Sequence, residues 1–192
     1  MKSVFLTSLR MLVFMTLLTG VVYPLAVTGL AQLIFPRQAN GSLAVRDGKV
    51  VGSTLIGQAY AGSGYFWGRP SATTPVPYNA ASSGGSNLGP LNPALVENVG
   101  ARLAALKEVD PGIGVVPIDL VTTSGSGLDP HISPSAAVAQ APRVAKVRGI
   151  SEDEVRRLIA RQTEGRQFGL LGEPRVNVLL LNLELDEATR RP

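Results

Sequence analysis

Arg10-Met-Leu-Val-Phe-Met-Thr-Leu-Leu-Thr-Gly20-Val-Val-Tyr-Pro24-Leu-Ala-Val-Thr28-Gly29-Leu-Ala-Gln-Leu-Ile-Phe-Pro36-Arg37 decides how the rest of this chain is read. Residues 11–36 carry no charge and are mostly Leu, Val, Met, Phe, Ala or Gly. A bilayer core is about 30 Å thick and an α-helix rises about 1.5 Å per residue, so roughly 20 apolar residues suffice and this stretch has slack for tilt. It predicts one transmembrane helix over 11–36, a tail over 1–10 and a tethered domain over 37–192. A cleaved signal peptide is the alternative, because Lys2 and Arg10 precede the apolar run and residues 26–31 offer small side chains. Signal cores run roughly 7–15 residues, whereas here the apolar character continues through Leu30, Leu33, Ile34 and Phe35, and the length favours retention. Pro24 is tolerated in lipid when hydroxyls or neighbouring helices satisfy the freed carbonyl. Gly20, Thr28 and Gly29 are candidates for packing against partner helices, with Thr19 and Gln32 also available for contact.

Basic residues are nearly balanced across the span: Lys2 and Arg10 on one side, Arg37, Arg46 and Lys49 on the other. A short basic tail before a large domain predicts a cytoplasmic amino terminus, with residues 37–192 outside the inner (cytoplasmic) membrane. The chain has 192 residues, of which 45% are hydrophobic and 17% charged, with one His and no Cys. The residues beyond the span suffice for one domain with its own core and are too few for two of ordinary size. Without cysteine there is no disulfide, thiolate nucleophile or thiolate metal site. The excess of 18 basic over 14 acidic residues lacks the dense cluster or aromatic platform of a nucleic-acid binder. Attraction to lipid headgroups of the bilayer explains it more simply.

Beyond the span, Leu43 to Val51 reads as a β-hairpin about Asp47-Gly48, the pair suited to the positive φ angles of a type I′ turn, with its second arm running towards Ile56. From Gln58 to Pro93, Gly, Ser, Pro and Asn dominate, with Tyr60, Tyr65, Phe66, Trp67 and Tyr78 among them. A loop of that length is uncommon unless functional or disordered, and the aromatics argue for order. Asn92-Pro93 starts a helix that Asp110-Pro111-Gly112 stops, and Val115 to Thr123 reads as an edge strand broken by Pro117. Ser133-Pro134 starts a short helix through Gln140 that Pro142 interrupts or restarts. Ser151-Glu-Asp-Glu154 is a capping box ahead of an amphipathic helix, and Arg175 to Leu185 alternates like a strand. The fold class is therefore an α+β (mixed α/β) domain anchored by one N-terminal transmembrane helix.

Thr122 to Ser133 holds the densest run of reactive side chains. Ser126, Asp129 and His131 invite a hydrolase triad, but a triad needs groups converging from separate segments, and the Gly-x-Ser-x-Gly elbow fails because residue 124 is Ser. Ser124, Gly125, Ser126 and Gly127 have the composition of a phosphate cradle, yet no Walker lysine follows. His131 is the sole histidine, no spacing identifies partners for a metal, and no metal or catalytic residue is assigned.

Six motifs occur in order: Gly68-Arg-Pro-Ser-Ala72, Tyr78-Asn79, Ser83-Gly-Gly-Ser-Asn-Leu-Gly-Pro90, Val121-Thr-Thr-Ser-Gly-Ser-Gly-Leu-Asp-Pro-His-Ile-Ser-Pro134, Gln140-Ala-Pro-Arg-Val-Ala145 and Gly172-Glu-Pro-Arg-Val-Asn-Val178. With the single amino-terminal span, they closely resemble the C subunit of the bacterial Kdp potassium-transporting P-type ATPase over nearly the whole chain. Ala-Pro after Gln140 departs from the larger apolar residue expected there. The resemblance implies an accessory, non-catalytic subunit of ATP-driven potassium import. Its implied partners are a channel-like potassium-binding subunit, a P-type ATP-hydrolysing subunit and a small single-span subunit. ATP and K+ would be handled by the complex, with no cofactor held by this chain, which has no Asp-Lys-Thr-Gly phosphorylation motif. In that family the Ser/Gly loop and Gln140 have been likened to a nucleotide signature, and the C subunit to a catalytic chaperone that raises ATP affinity. The predicted topology conflicts with direct contact, since ATP is cytoplasmic. The other readings are a membrane-anchored exported hydrolase and a ligand-binding domain using the aromatic loop at 60–78.

Overall fold

Residues 2–190 are described by a computed structural model, which divides at Val51/Gly52 into two compact units. In the first, α1 (Lys2–Leu17), a π-helical turn (Leu18–Val22) and α2 (Tyr23–Ile34) form 33 continuous helical residues, none of them buried. This helix is long and apolar enough to cross a membrane. Pro24 supplies no amide to the ladder, and the wide turn just before it absorbs the misfit: the Tyr23 amide donates to Leu18 O. Thr19 Oγ1 donates to Met15 O at 2.7 Å. The Gln32 and Asn40 carboxamides donate to each other at 3.3 and 3.0 Å. Thr19 and Gln32, expected to be available to a partner helix, are thus engaged within the chain. Gly20 and Gly29 have no atom within 4 Å of where a Cβ would stand, and Thr28 is exposed.

Helix α3 (Pro36–Ala39) leads to the hairpin of β1 (Leu43–Arg46) and β2 (Lys49–Ser53). Asp47 and Gly48 both have positive φ, 50° and 74°, as the Asp-Gly turn requires. The second arm stops at Ser53, whose hydroxyl accepts the Leu55 amide at 3.1 Å and turns the chain before Ile56.

The second unit packs α4 (Pro93–Val109), α5 (Pro134–Arg148), α6 (Glu152–Arg161) and α7 (Val178–Ala188) with an antiparallel sheet ordered β3 (His131–Ile132), β5 (Arg175–Asn177), β4 (Thr163–Glu164). His131 faces Asn177 and Thr163 faces Val176 across it. Asn92 caps α4 by accepting the Ala94 amide, and Ser151 caps α6 by accepting that of Glu154. Val155, Leu158 and Ile159 are buried while Arg156, Arg157 and Arg161 stay outside, as the amphipathic pattern predicts. The core joins these to Phe66, Trp67, Leu120, Ile132, Val144, Val176, Leu181 and Leu185. The aromatic loop is therefore a core component of an α+β fold.

Three expectations are corrected. Val115 to Thr123 is irregular, with a 3-10 turn over Ile118–Leu120. Pro117 cannot donate to a ladder, Leu120 alone of this stretch is buried, and Asp119 Oδ2 accepts the Ser133 amide at 2.7 Å. Helix α5 passes through Pro142 to Arg148, because the ring lies on the exposed side while Gln140, Ala141, Arg143 and Val144 around it are buried. Gly149, at φ 68°, ends it. Arg175 to Leu185 is strand only to Asn177, where the Asn177 side chain accepts the Leu180 amide and starts α7. Val178, Leu181, Asn182 and Leu185 are buried at helical spacing, which overrides the apparent alternation.

Candidate functional site

The segment 62–67 threads between α5 and α7, held almost entirely by its backbone. Gln140 on α5 is fully buried; its Oε1 accepts from Trp67 N at 2.8 Å and its Nε2 donates to Trp67 O at 3.1 Å. Asn182 on α7 does the same to the preceding residue, accepting from Phe66 N at 2.9 Å and donating to Phe66 O at 3.0 Å. The remaining capacity of Gln140 is filled by Ala136 O at 3.2 Å and by Arg143 Nη2 at 2.8 Å. Two donors and two acceptor positions are all a carboxamide has. Arg143 also donates to Ser63 O and Tyr65 O, and Arg148 donates to Gly64 O at 2.7 Å. The guanidinium groups of Arg102 and Arg143 lie 5.1 and 5.5 Å from the Trp67 ring centre. Burial pushes the Arg143 guanidinium below its ordinary pKa, against the pull of Asp110.

Away from this clamp, the Ser/Gly loop is laced to residues 69–86. Ser126 O accepts from Gly84 N at 2.9 Å and Ser83 Oγ at 3.1 Å, and Gly127 O accepts from Ser71 Oγ at 2.7 Å. Within the loop, Ser124 Oγ accepts the Gly127 amide at 2.9 Å and Ser126 Oγ the Leu128 amide at 3.1 Å. Two amides at the end of the loop, Gly127 and Leu128, are thus taken by the hydroxyls of Ser124 and Ser126, which a phosphate cradle would have to release. Gly127 has φ 66°, and a Cβ there would meet Gly84 O at 2.7 Å; one at Gly85 would meet Gly125 O at 2.9 Å. Glycine at these positions lets two loops touch.

Asp129 and His131 come together with Arg69 on one wall of an open cleft of about 560 Å³. Asp129 Oδ1 lies 3.4 Å from His131 Nδ1 and accepts the His131 amide at 3.0 Å, while Oδ2 lies 3.4 Å from Arg69 Nη1. Arg69 Nη2 donates to Thr123 O at 3.1 Å. Burial raises the Asp129 pKa, but hydrogen bonds from the His131 ring and amide, with the Arg69 charge, outweigh it and hold the carboxyl below the usual value. Burial also raises the Tyr78 phenol, which donates to Arg69 O at 2.5 Å. Ser126 does not join this pair, since its hydroxyl is turned to Leu128, so the arrangement is a buttressed ion pair rather than a nucleophile with its base. Gln140 contributes to the clamp and not to the cleft.

Sequence reasoning assigned no role to Asn182, Arg143 or Arg69. Asn182 had a signal, being the one amide within Leu179-Leu-Leu-Asn-Leu-Glu-Leu185, where a polar side chain must find partners. Arg69 sat inside one of the six motifs, but its partners lie some sixty residues on.

Comparison with known proteins places the chain in a wider group. The family model described as "K+-transporting ATPase, c chain" matches residues 5–187. A protein of Polaromonas naphthalenivorans named "Potassium-transporting ATPase KdpC subunit" is 63% identical over 187 residues, covering 97% of this chain and 95% of its own. Proteins of the same name from Sorangium cellulosum and Methylococcus capsulatus are 63% and 62% identical, covering 94% and 95% of this chain and 96% of their own lengths.

Proposed function

The chain belongs to the family of the K+-transporting ATPase c chain, and from that premise we propose that it is a single-span accessory subunit whose domain, residues 37–192, works outside the cytoplasmic membrane. As a member of this family it is a subunit of the potassium-transporting ATPase complex rather than its catalytic subunit. It stabilises assembly and supports potassium import beside a channel-like potassium-binding subunit, a P-type ATP-hydrolysing subunit and a small single-span subunit. The helix over 2–34 anchors it, with the amino terminus in the cytoplasm. One observation carries the non-catalytic reading: Gln140 spends all four of its hydrogen-bonding positions inside this chain, and the Ser124 and Ser126 hydroxyls accept amides of their own loop. Any effect on ATP affinity is therefore transmitted through the complex as coupling between sites. Protease added to intact spheroplasts digests residues 37–192; protection of that domain until lysis overturns the orientation and revives direct contact with ATP.

A further inference from the structure

Between β4 and β5 the chain leaves the sheet as a tight projection. Gln167 and Leu171 pair across it, each amide donating to the other's carbonyl at 2.9 Å. At the root, Arg166 bonds both carboxylate oxygens of Glu173 at 2.7 Å and Arg175 lies 2.8 Å from Glu164. The tip carries Phe168, Leu170 and Leu171, which are 93%, 79% and 61% exposed. Phe168 has φ 55°, a left-handed conformation that costs an ordinary residue free energy and suits glycine. With Gly169 at φ 75° and the Leu170 amide donating to Gln167 O at 3.1 Å, Phe168 fills the first central place of a tight two-residue turn, where Asn, Asp or Gly would cost less and would not hold an aromatic ring in water. An exposed phenylalanine at a turn position that favours small polar residues points to a function outside the molecule.

We propose that Phe168, with Leu170 and Leu171, is an anchoring knob that seats in an apolar pocket on another subunit of the transport complex. This rests on the reading that the chain works as a subunit. The area argues against a second copy as occupant, since the three side chains offer on the order of 400 Å² from one side, short of the roughly 600 Å² per partner that the smallest stable pairs bury. Such a knob suits a partner already held by other contacts. The charge argues against lipid. Each arginine at the root is spent on a neighbouring glutamate, so no free basic cluster draws the tip to anionic headgroups. A neutral, ion-paired rim around an apolar centre is the anatomy of a protein hot spot. The root also walls the open cleft, which Pro174 and the exposed Ile118 both line, so a partner seated on the knob has further apolar surface to cover.

Phe168→Gly separates this role from a structural one, because glycine relieves the positive φ. The full chain should unfold no more easily than wild type, while its recovery with the detergent-solubilised complex falls about tenfold. In parallel, a benzophenone amino acid at position 168, with Leu91 as an equally exposed control position, should crosslink to another subunit in the assembled complex. Full recovery of Phe168→Gly, or crosslinks from 168 to lipid or to a second copy of this chain only, overturns the proposal. Wild-type chain that recovers no other subunit overturns the subunit reading itself, so the two failures are distinct.

Discussion

Gln140 shows what a buried carboxamide does when every hydrogen-bonding position is filled. Gln140→Ala strands the Trp67 N–H and C=O and one arm of Arg143 in the core. Each of the three orphaned groups costs about 1–3 kcal/mol, so a loss of about 3 kcal/mol or more is expected, read as a lowered denaturant midpoint of the full chain in detergent. Complexes that still assemble should keep potassium-stimulated ATPase activity within a small factor of wild type. Unchanged stability combined with a large rise in the ATP concentration needed for half-maximal rate would instead mark Gln140 as a nucleotide ligand. The position of Gln140 in a motif was legible in the sequence; its role was not. A side chain that pairs with a backbone seventy-three residues away leaves no local trace. Asn182 differs only in standing among leucines, where its polarity is conspicuous.

At the scale of elements, cap and turn residues acted as their chemistry predicts, whereas periodicity held for α6 but misled over 175–185, and Pro142 did not break α5. The caps at Asn92, Ser133 and Ser151 and the Asp47-Gly48 turn form as their residues dictate. The run 175–185 satisfied both a two-residue and a helical period, and burial of Asn182 beside Leu181 and Leu185 selected the helix. Pro142 stops a helix only where its ring or the freed carbonyl has no room, and the exposed face gives it room. The junction between the Ser/Gly loop and β3 is electrostatic, and that makes it sensitive to pH. Asp129 has its folded pKa depressed below the unfolded value of about 3.9. Its contribution is therefore fully present above that value and is lost as pH falls through the lower, folded pKa. Thermal unfolding followed from about pH 6 to pH 2 should show Asp129→Asn less stable than wild type at the upper end, with the gap closing on acidification. A gap that stays constant over that range would mean that Asp129 acts through shape and not through charge.

For the molecule as a whole, the division at Val51/Gly52 separates two kinds of surface. Residues 52–190 bury an apolar core of their own, whereas the helix over 2–34 buries nothing. In water that helix would be an aggregation hazard; in lipid its apolar side chains are satisfied, and association must come from close packing rather than from the hydrophobic effect. Charge in the sequence marks the end of the apolar run at Pro36, but not the division at Val51/Gly52, nor that Thr19 and Gln32 would be engaged internally and so leave the small residues as the polar-free sites for close approach. Open space at the Gly20 and Gly29 Cβ positions means that leucine fits there without disturbing the isolated chain. Any cost of Gly20→Leu with Gly29→Leu must therefore fall on assembly. Small residues let helix backbones approach closely, and about 1.4 kcal/mol of lost packing is tenfold in association, so the double variant should co-purify with the complex up to about tenfold less efficiently in detergent. The denaturant midpoint of residues 52–190 should not move, because they bury an apolar core of their own. If the double variant co-purifies as well as wild type, the helix is an anchor only, and attachment to the complex lies in the domain, where the Phe168 knob is the first surface to test.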